Sequence, residues 1–189
     1  HPVSIYAATK KANELYAHCY SHLYCIPITG LRFFTVYGPW GRPDMAYFIF
    51  TKSIFEDKEI QIYNHGEMFR DFTFIDDIVE SLTRIMNMPP KKNNNFDKNN
   101  PSCDSSWAPH RVFNIGNSYS IKLINFIEEI EKVIGKKAKK KFLPLQKGDV
   151  ESTLADTKLL ENWINFKPNT KLEDGLYKFV EWYKDFYKK

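Results

Sequence analysis

Apolar positions along the 189-residue chain follow two different periods, and the switches between them mark out the elements. Tyr6, Ala7, Leu15, Tyr16, Cys19 and Leu23 recur at helical spacing behind Ser4, a good capping residue, and predict a helix over 4–23 that Pro27 ends. Residues 28–34 are short, rich in β-formers and nearly continuously apolar, as a buried strand is. A helix running into a buried strand is half of a βαβ unit and predicts a parallel sheet, whose first strands would lie upstream of His1. Residues 35–45 hold Gly38, Pro39, Gly41 and Pro43 and read as a structured loop. That loop falls just past the carboxyl end of a parallel strand, where open α/β sheets bind ligands.

Further along, the pattern predicts a helix over 46–56, a short strand over 59–63, a turn over 64–67 and a half-buried, alternating strand over 70–75. Asp76 and Asp77 are placed to cap a helix bearing Ile78, Val79, Leu82, Ile85 and Met86. Periodicity then gives way to Lys, Asn, Pro and Ser around Lys91-Lys92-Asn93-Asn94-Asn95, so 89–109 reads as a flexible surface loop. A strand over 111–116, a helix over 122–134 stopped by Gly135, a strand over 139–143, a loop over 144–150 and helices over 156–163 and 172–187 complete an α/β chain. No internal repeat is present.

Composition narrows the picture. Apolar residues at 43% and aromatics at 16% predict a packed globular protein. The net charge of +4 resides largely in Lys136, Lys137, Lys139, Lys140, Lys141, Lys188 and Lys189. No aromatic or Gly-rich RNA-binding signature accompanies these runs, so they read as solvated faces and no nucleic-acid partner is expected. Cys19, Cys25 and Cys103 are odd in number and lack Cys-x-x-Cys spacing, which points to neither a disulfide framework nor a metal site. A reduced, cytoplasmic setting fits them, and no run is apolar enough to predict a membrane span. The opening His1-Pro2, almost on a helix start, suggests a chain whose N-terminal part is missing.

The chemistry centres on Ser4-Ile5-Tyr6-Ala7-Ala8-Thr9-Lys10. Tyr6 and Lys10 lie four apart, on one helical face, so the ammonium can sit beside the phenol and favour phenolate, making Tyr6 a base. Such a pair arises at background frequency in a chain this rich in Tyr and Lys, and spacing alone favours an exposed i,i+4 contact over a catalytic pair.

The remaining motifs give it a context. Tyr6-Ala7-Ala8-Thr9-Lys10, Arg32-Phe33-Phe34-Thr35-Val36-Tyr37-Gly38-Pro39, Arg70-Asp71-Phe72-Thr73-Phe74-Ile75-Asp76-Asp77, Asn114-Ile115-Gly116 and Gly148-Asp149-Val150 stand in one order. In that order and spacing the chain resembles the extended short-chain dehydrogenase/reductases that act on nucleotide sugars. The loop Thr35-Val36-Tyr37-Gly38-Pro39-Trp40-Gly41-Arg42-Pro43-Asp44-Met45 is similar to the signature of the UDP-glucuronate 4-epimerases within them.

The resemblance implies the C-terminal part of a Rossmann-type sheet that holds NAD, plus a smaller α/β domain that holds a UDP-sugar. Residues 1–36 would be the tail of the first. Residues 37–189 would form mainly the second, with 70–88 and 111–116 returning to the first. By the same match Tyr6 is the catalytic base, Lys10 bonds the cofactor ribose and tunes the phenol, and Phe33 borders the cofactor. Arg70 would bind the diphosphate, a role suited to a planar bidentate donor, with Asp149 also at the substrate. Thr35 and Arg42 would meet a uronate carboxylate, although Arg42 is also placed to pair with Asp44. Gln61 and Tyr63 would flank the uracil. Gln146 departs from the arginine that many relatives carry there.

The family's Gly-rich cofactor loop and its catalytic Ser/Thr would lie upstream of His1, and Gly38, Gly66 and Gly116 do not replace that loop. Residues 1–189 alone are therefore expected to bind NAD poorly. The resemblance implies a homodimer, with Tyr16, Tyr20 and Tyr24 compatible with an interface or with a core. Other activities in the family (4-epimerisation of a neutral UDP-hexose, 4,6-dehydration, decarboxylation) share the tyrosine and lysine, and a non-catalytic UDP-binding chain is the further alternative.

Overall fold

A computed structural model of the chain describes residues 1–146 and 148–189; Lys147, in the loop predicted over 144–150, lies outside the described residues. The elements run in the order α1 (Ile5–Tyr24), β1 (Ile28–Phe33), β2 (Thr35–Tyr37), α2 (Ala46–Phe55), β3 (Glu59–Ile62), a 3-10 turn (Tyr63–Gly66), β4 (Phe69–Phe74) and α3 (Ile75–Met86). There follow β5 (His110–Ile115), β6 (Ser120–Lys122), α4 (Leu123–Ile134), β7 (Lys139–Phe142), α5 (Lys158–Ile164) and α6 (Leu172–Tyr187). The chain divides into two compact units: 1–33, 80–115 and 156–166 in the first, and 34–79, 116–155 and 167–189 in the second. The break falls at 33/34, three residues before the expected one, and residues 70–79 belong to the second unit with strand β4.

In the first unit β1 pairs in parallel with β5, Ile28 opposite His110 through Phe33 opposite Ile115. Helix α1 packs on this pair, and α5 packs on β5. Ser4 caps α1 as predicted, accepting the Ala7 amide at 3.1 Å. Strand β1 is half-buried to exposed, not fully buried as its composition suggests, because β5 is its one strand neighbour among the described residues. The bidentate pair of Arg32 with Glu14, at 2.5 and 2.8 Å, ties α1 to β1. It holds the Glu14 carboxyl down to about 2.

The stretch expected to be a free loop, 89–109, is fastened at several points. The Val112 amide donates to the Asp104 carbonyl, Arg111 pairs with Asp104 at 2.6 Å, and His18 of α1 meets the Ser106 hydroxyl at 2.9 Å. Its polar composition conceals these anchors.

The second unit holds the larger core. Strand β2 pairs in parallel with β4, β4 pairs antiparallel with β6, and β3 pairs in parallel with β7. Helices α2, α4 and α6 cover an aromatic core in which Tyr37, Tyr47, Phe74, Phe126, Phe179 and Tyr183 are almost entirely buried. Two of these strands, β2 and β6, are not predicted, since three residues are too few to show a period. Strand β4 is buried from Asp71 to Phe74 where alternation predicts a wet face, because Phe72 and Phe74 enter the aromatic core on one face and the 117 and 155 turns cover Asp71 on the other. Its polar side chains face inward with their bonds met. The Asp71 carboxylate accepts the Asn117 amide at 2.8 Å and the Ala155 amide at 3.0 Å, stitching two distant turns to the strand. Asp76 and Asp77 fall in the first turn of α3, where Asp77 accepts the Thr170 amide and Asp76 pairs with Lys178.

Candidate active site

Tyr6 and Lys10 sit on the first two turns of α1, with the Lys10 ammonium 5.3 Å from the centroid of the Tyr6 ring. The phenol is 72% exposed, and Lys10 has no carboxylate partner among the described residues. Three other tyrosines have the opposite setting. Burial pushes the Tyr37, Tyr47 and Tyr183 phenols up from their ordinary value, so they remain protonated core members and are unsuited to take a proton near neutral pH. Phe33, also in the first unit, ends β1 with its ring half exposed.

The second unit contains a cavity of about 540 Å3, within the ordinary range for small-molecule sites. Its wall includes Thr35, Gln61, Tyr63, Arg70 and Asp149, five positions that the sequence names from four separate stretches of chain. The topology explains their meeting. Thr35 opens β2 opposite Phe72 of β4, Gln61 lies on β3, and Arg70 is the second residue of β4. Phe69 bonds in both directions with the 151–153 segment, which brings Asp149 alongside Arg70.

The Arg70 guanidinium is held on three sides. One terminal nitrogen donates to the Phe69 and Glu151 carbonyls at 2.9 and 3.2 Å, and the other donates to Asp149 at 2.9 Å. With its side chain only 15% exposed, the cation is fixed in the wall and aimed. Tyr63 donates its hydroxyl to Gln61 at 3.0 Å, fixing a flat polar edge near it. The 38–45 loop lies close over Tyr47 because Gly41 has no side chain: a Cβ there would overlap the Tyr47 hydroxyl.

Arg42 behaves differently. It is not part of the cavity wall; its guanidinium pairs with Asp44 at 3.4 Å and contacts the Met45 sulfur, with three-quarters of the side chain in solvent. Of the two arrangements open in the sequence, the structure has the pairing with Asp44. In the apolar half of the wall Met45 ends the quoted loop signature, whereas Ile49, Phe50, Met68 and Leu123 are not singled out by the sequence. No sequence signal marks them: Ile49, exposed on α2 beside the buried Phe48 and Phe50, is told apart from these only by the fold.

A model of the NAD dependent epimerase/dehydratase family matches residues 1–116, more than half of the chain. The chain belongs to that family. Over its whole length it is 55% identical to Protein CapI of Staphylococcus aureus, covering 57% of that protein. It is 48% identical to a probable UDP-glucuronate 4-epimerase of Rhizobium meliloti, covering all of this chain and 55% of the relative. The chain thus spans a little over half the length of these relatives. Among solved structures, a UDP-glucuronic acid 4-epimerase from Bacillus cereus in complex with UDP-glucuronic acid and NAD superposes with a TM-score of 0.82. It is 33% identical, over 99% of this chain and 55% of that one. These likenesses agree with the α/β class and the Rossmann-type fold expected from the motifs. Among the described residues no helix is long and apolar enough to cross a membrane.

Proposed function

We propose that the protein containing this chain is an NAD-dependent UDP-uronate 4-epimerase that converts UDP-glucuronate to UDP-galacturonate through a 4-keto sugar. The observation that carries this reading is the meeting of Thr35, Gln61, Tyr63, Arg70 and Asp149 in one cavity. An aimed guanidinium for a diphosphate, a flat polar edge for a base and a hydroxyl for a carboxylate are the groups a nucleotide-sugar acid requires.

The residues present fit one side of a nicotinamide cofactor: an exposed phenol, an unpaired ammonium one turn away and the half-exposed ring of Phe33. When bound, that cofactor supplies reversible hydride acceptance at the sugar C4. Tyr6 accepts the proton of the 4-hydroxyl as the carbonyl forms. Once the keto sugar has turned over, so that the hydride would return to the opposite face of C4, Tyr6 gives the proton back to the C4 oxygen, and the proton inventory closes on one phenol. Lys10 orients the cofactor ribose and supplies positive charge to the phenolate. Arg70 takes the diphosphate on its fork in exchange for Asp149, Gln61 and Tyr63 flank the uracil, and Thr35 donates to the uronate carboxylate. A homodimer through the outward face of α1, where Tyr16, Tyr20 and Tyr24 are exposed, completes the reading.

The test is incubation of the intact protein with UDP-glucuronate and NAD, followed by proton NMR of the sugar, with UDP-galacturonate the expected product. Arg42, outside the cavity wall and neutralised by Asp44 of that wall, favours one competing reading, a neutral UDP-hexose as substrate. Turnover of UDP-glucose alone would decide for it.

A further inference from the structure

The stretch 89–109, which composition alone marks as a mobile tether, folds around a second cavity, entirely within the first unit. It encloses about 360 Å3 and is walled by His22 of α1 and by Lys92, Asn94, Phe96, Lys98 and Trp107, among others. We propose that this cavity is a ligand site of its own, taking a phosphorylated planar ring such as a nucleoside phosphate, with Trp107 as the stacking surface and Lys92 and Lys98 as the phosphate donors.

Three observations converge on it. The first is the setting of Trp107. Its indole is 46% exposed, yet it is held by contacts on several sides. The ring nitrogen donates to His22 Nδ1 at 3.0 Å, and the backbone carbonyl accepts from the Asn93 amide at 3.2 Å. The ring meets His18, His22 and Phe96 edge-on at 5.3, 5.8 and 5.5 Å between centroids. An exposed aromatic already ordered loses little further entropy when a planar group lies on it. Stacking on an indole suits any base, since every base has a π face.

The second observation is charge. No acidic residue lines the cavity, and among the described residues neither Lys92 nor Lys98 has an ion-pair partner. More than half of the chain's lysines and arginines do have one, including Arg111 close by in sequence. Two uncompensated ammonium groups in one concave wall raise the local concentration of anions, and lysine serves phosphate as a point charge. The third is the tautomer of His22. With Nδ1 accepting from Trp107, neutral His22, a residue of the same wall, carries its proton on Nε2. The cavity shares no residue with the one in the second unit, so it stands whether or not the reading above does.

The experiment is NMR titration of the intact protein labelled with 15N-tryptophan, the Trp107 indole signal being assigned by its loss in Trp107→Phe. The probes are UMP, AMP, ribose 5-phosphate and inorganic phosphate. Both nucleotides should move the Trp107 signal saturably below ~10 mM, and at least ~10-fold more tightly than phosphate alone. The double variant Lys92→Ala/Lys98→Ala should weaken nucleotide binding at least ~10-fold while leaving the ligand-free indole spectrum in place, which shows that it folds. Lys91→Ala, adjacent but outside the wall, and Arg70→Ala, in the other cavity, should leave the affinity within ~2-fold. Absence of saturation, unchanged affinity in the double lysine variant, equal affinity for bare phosphate, or loss of the response in Arg70→Ala would each overturn the proposal.

Discussion

Tyr6 and Lys10 lie on an outward helical face, held by little beyond the helix itself, whereas Arg70 is set in a wall and tethered at three acceptors. Under the proposed function the difference matches what each side chain would do. A base that exchanges protons needs an open phenol with a cation at one remove, and the i,i+4 geometry of a capped helix is enough to supply that. An anion clamp must not swing, and a long flexible cation is immobilised only by bonds that use its donors. Asp149 provides one of those bonds and neutralises a guanidinium that would otherwise sit largely desolvated and alone. The helical pair depends on local sequence; the clamp depends on β4 and the 149–151 segment, remote in the chain, arriving together.

If this division is right, the most damaging change is the most local. Tyr6→Phe should lower turnover of UDP-glucuronate by the intact protein by ~10^2 to ~10^4-fold, the usual range for losing a general base, while its melting temperature stays near that of the parent. Undiminished turnover would remove Tyr6 from the chemistry altogether.

Next in size is Arg70→Lys, which retains the charge but loses the fork. KM should rise by ~10 to ~100-fold with kcat largely preserved, because the diphosphate is bound alike in ground and transition states. A fall confined to kcat would move Arg70 from the clamp to the reacting centre.

The third change probes how α1 is seated. Glu14 has its carboxyl held near 2 by Arg32. A depressed acid contributes stability above its unfolded value of 4.5, and that stability is lost as pH falls from there toward 2. Glu14→Gln should therefore cost about 1 kcal/mol at pH 7, a figure reduced for the partly exposed Arg32, and almost nothing near pH 2. Urea midpoints at the two pH values check the sign. The smallest effect is expected from Arg42→Ala: paired with Asp44 in solvent, it should change KM for UDP-glucuronate less than ~3-fold. A larger loss would show that Arg42 leaves Asp44 for the uronate.

How far the sequence reaches differs between the two regions in the same way. The long elements were legible because apolar period and caps agree: α1, α4 and α6 occupy Ile5–Tyr24, Leu123–Ile134 and Leu172–Tyr187, within a residue or so of their patterns. Strands β2 and β6 were not, since Thr35-Val36-Tyr37 runs straight into Gly38-Pro39 and three residues show no alternation. Asp71 and Thr73 mimic a solvent face; what buries Asp71 is Asn117 and Ala155, more than forty residues away. The polar residues of the larger cavity were legible through their motifs, but Ile49, Met68 and Leu123 were not, because an apolar residue lining a cavity and one filling a core follow the same period. Trp107 was hidden by its polar neighbours, and its anchors on α1 are eighty-five residues upstream or more.

The polypeptide passes from one unit to the other five times, at 33/34, 79/80, 115/116, 155/156 and 166/167. No single cut therefore releases either unit intact, and no single recombination event can exchange one for a homologous counterpart. The segments that line the larger cavity and the helix bearing Tyr6 are therefore inherited interleaved along one stretch of chain.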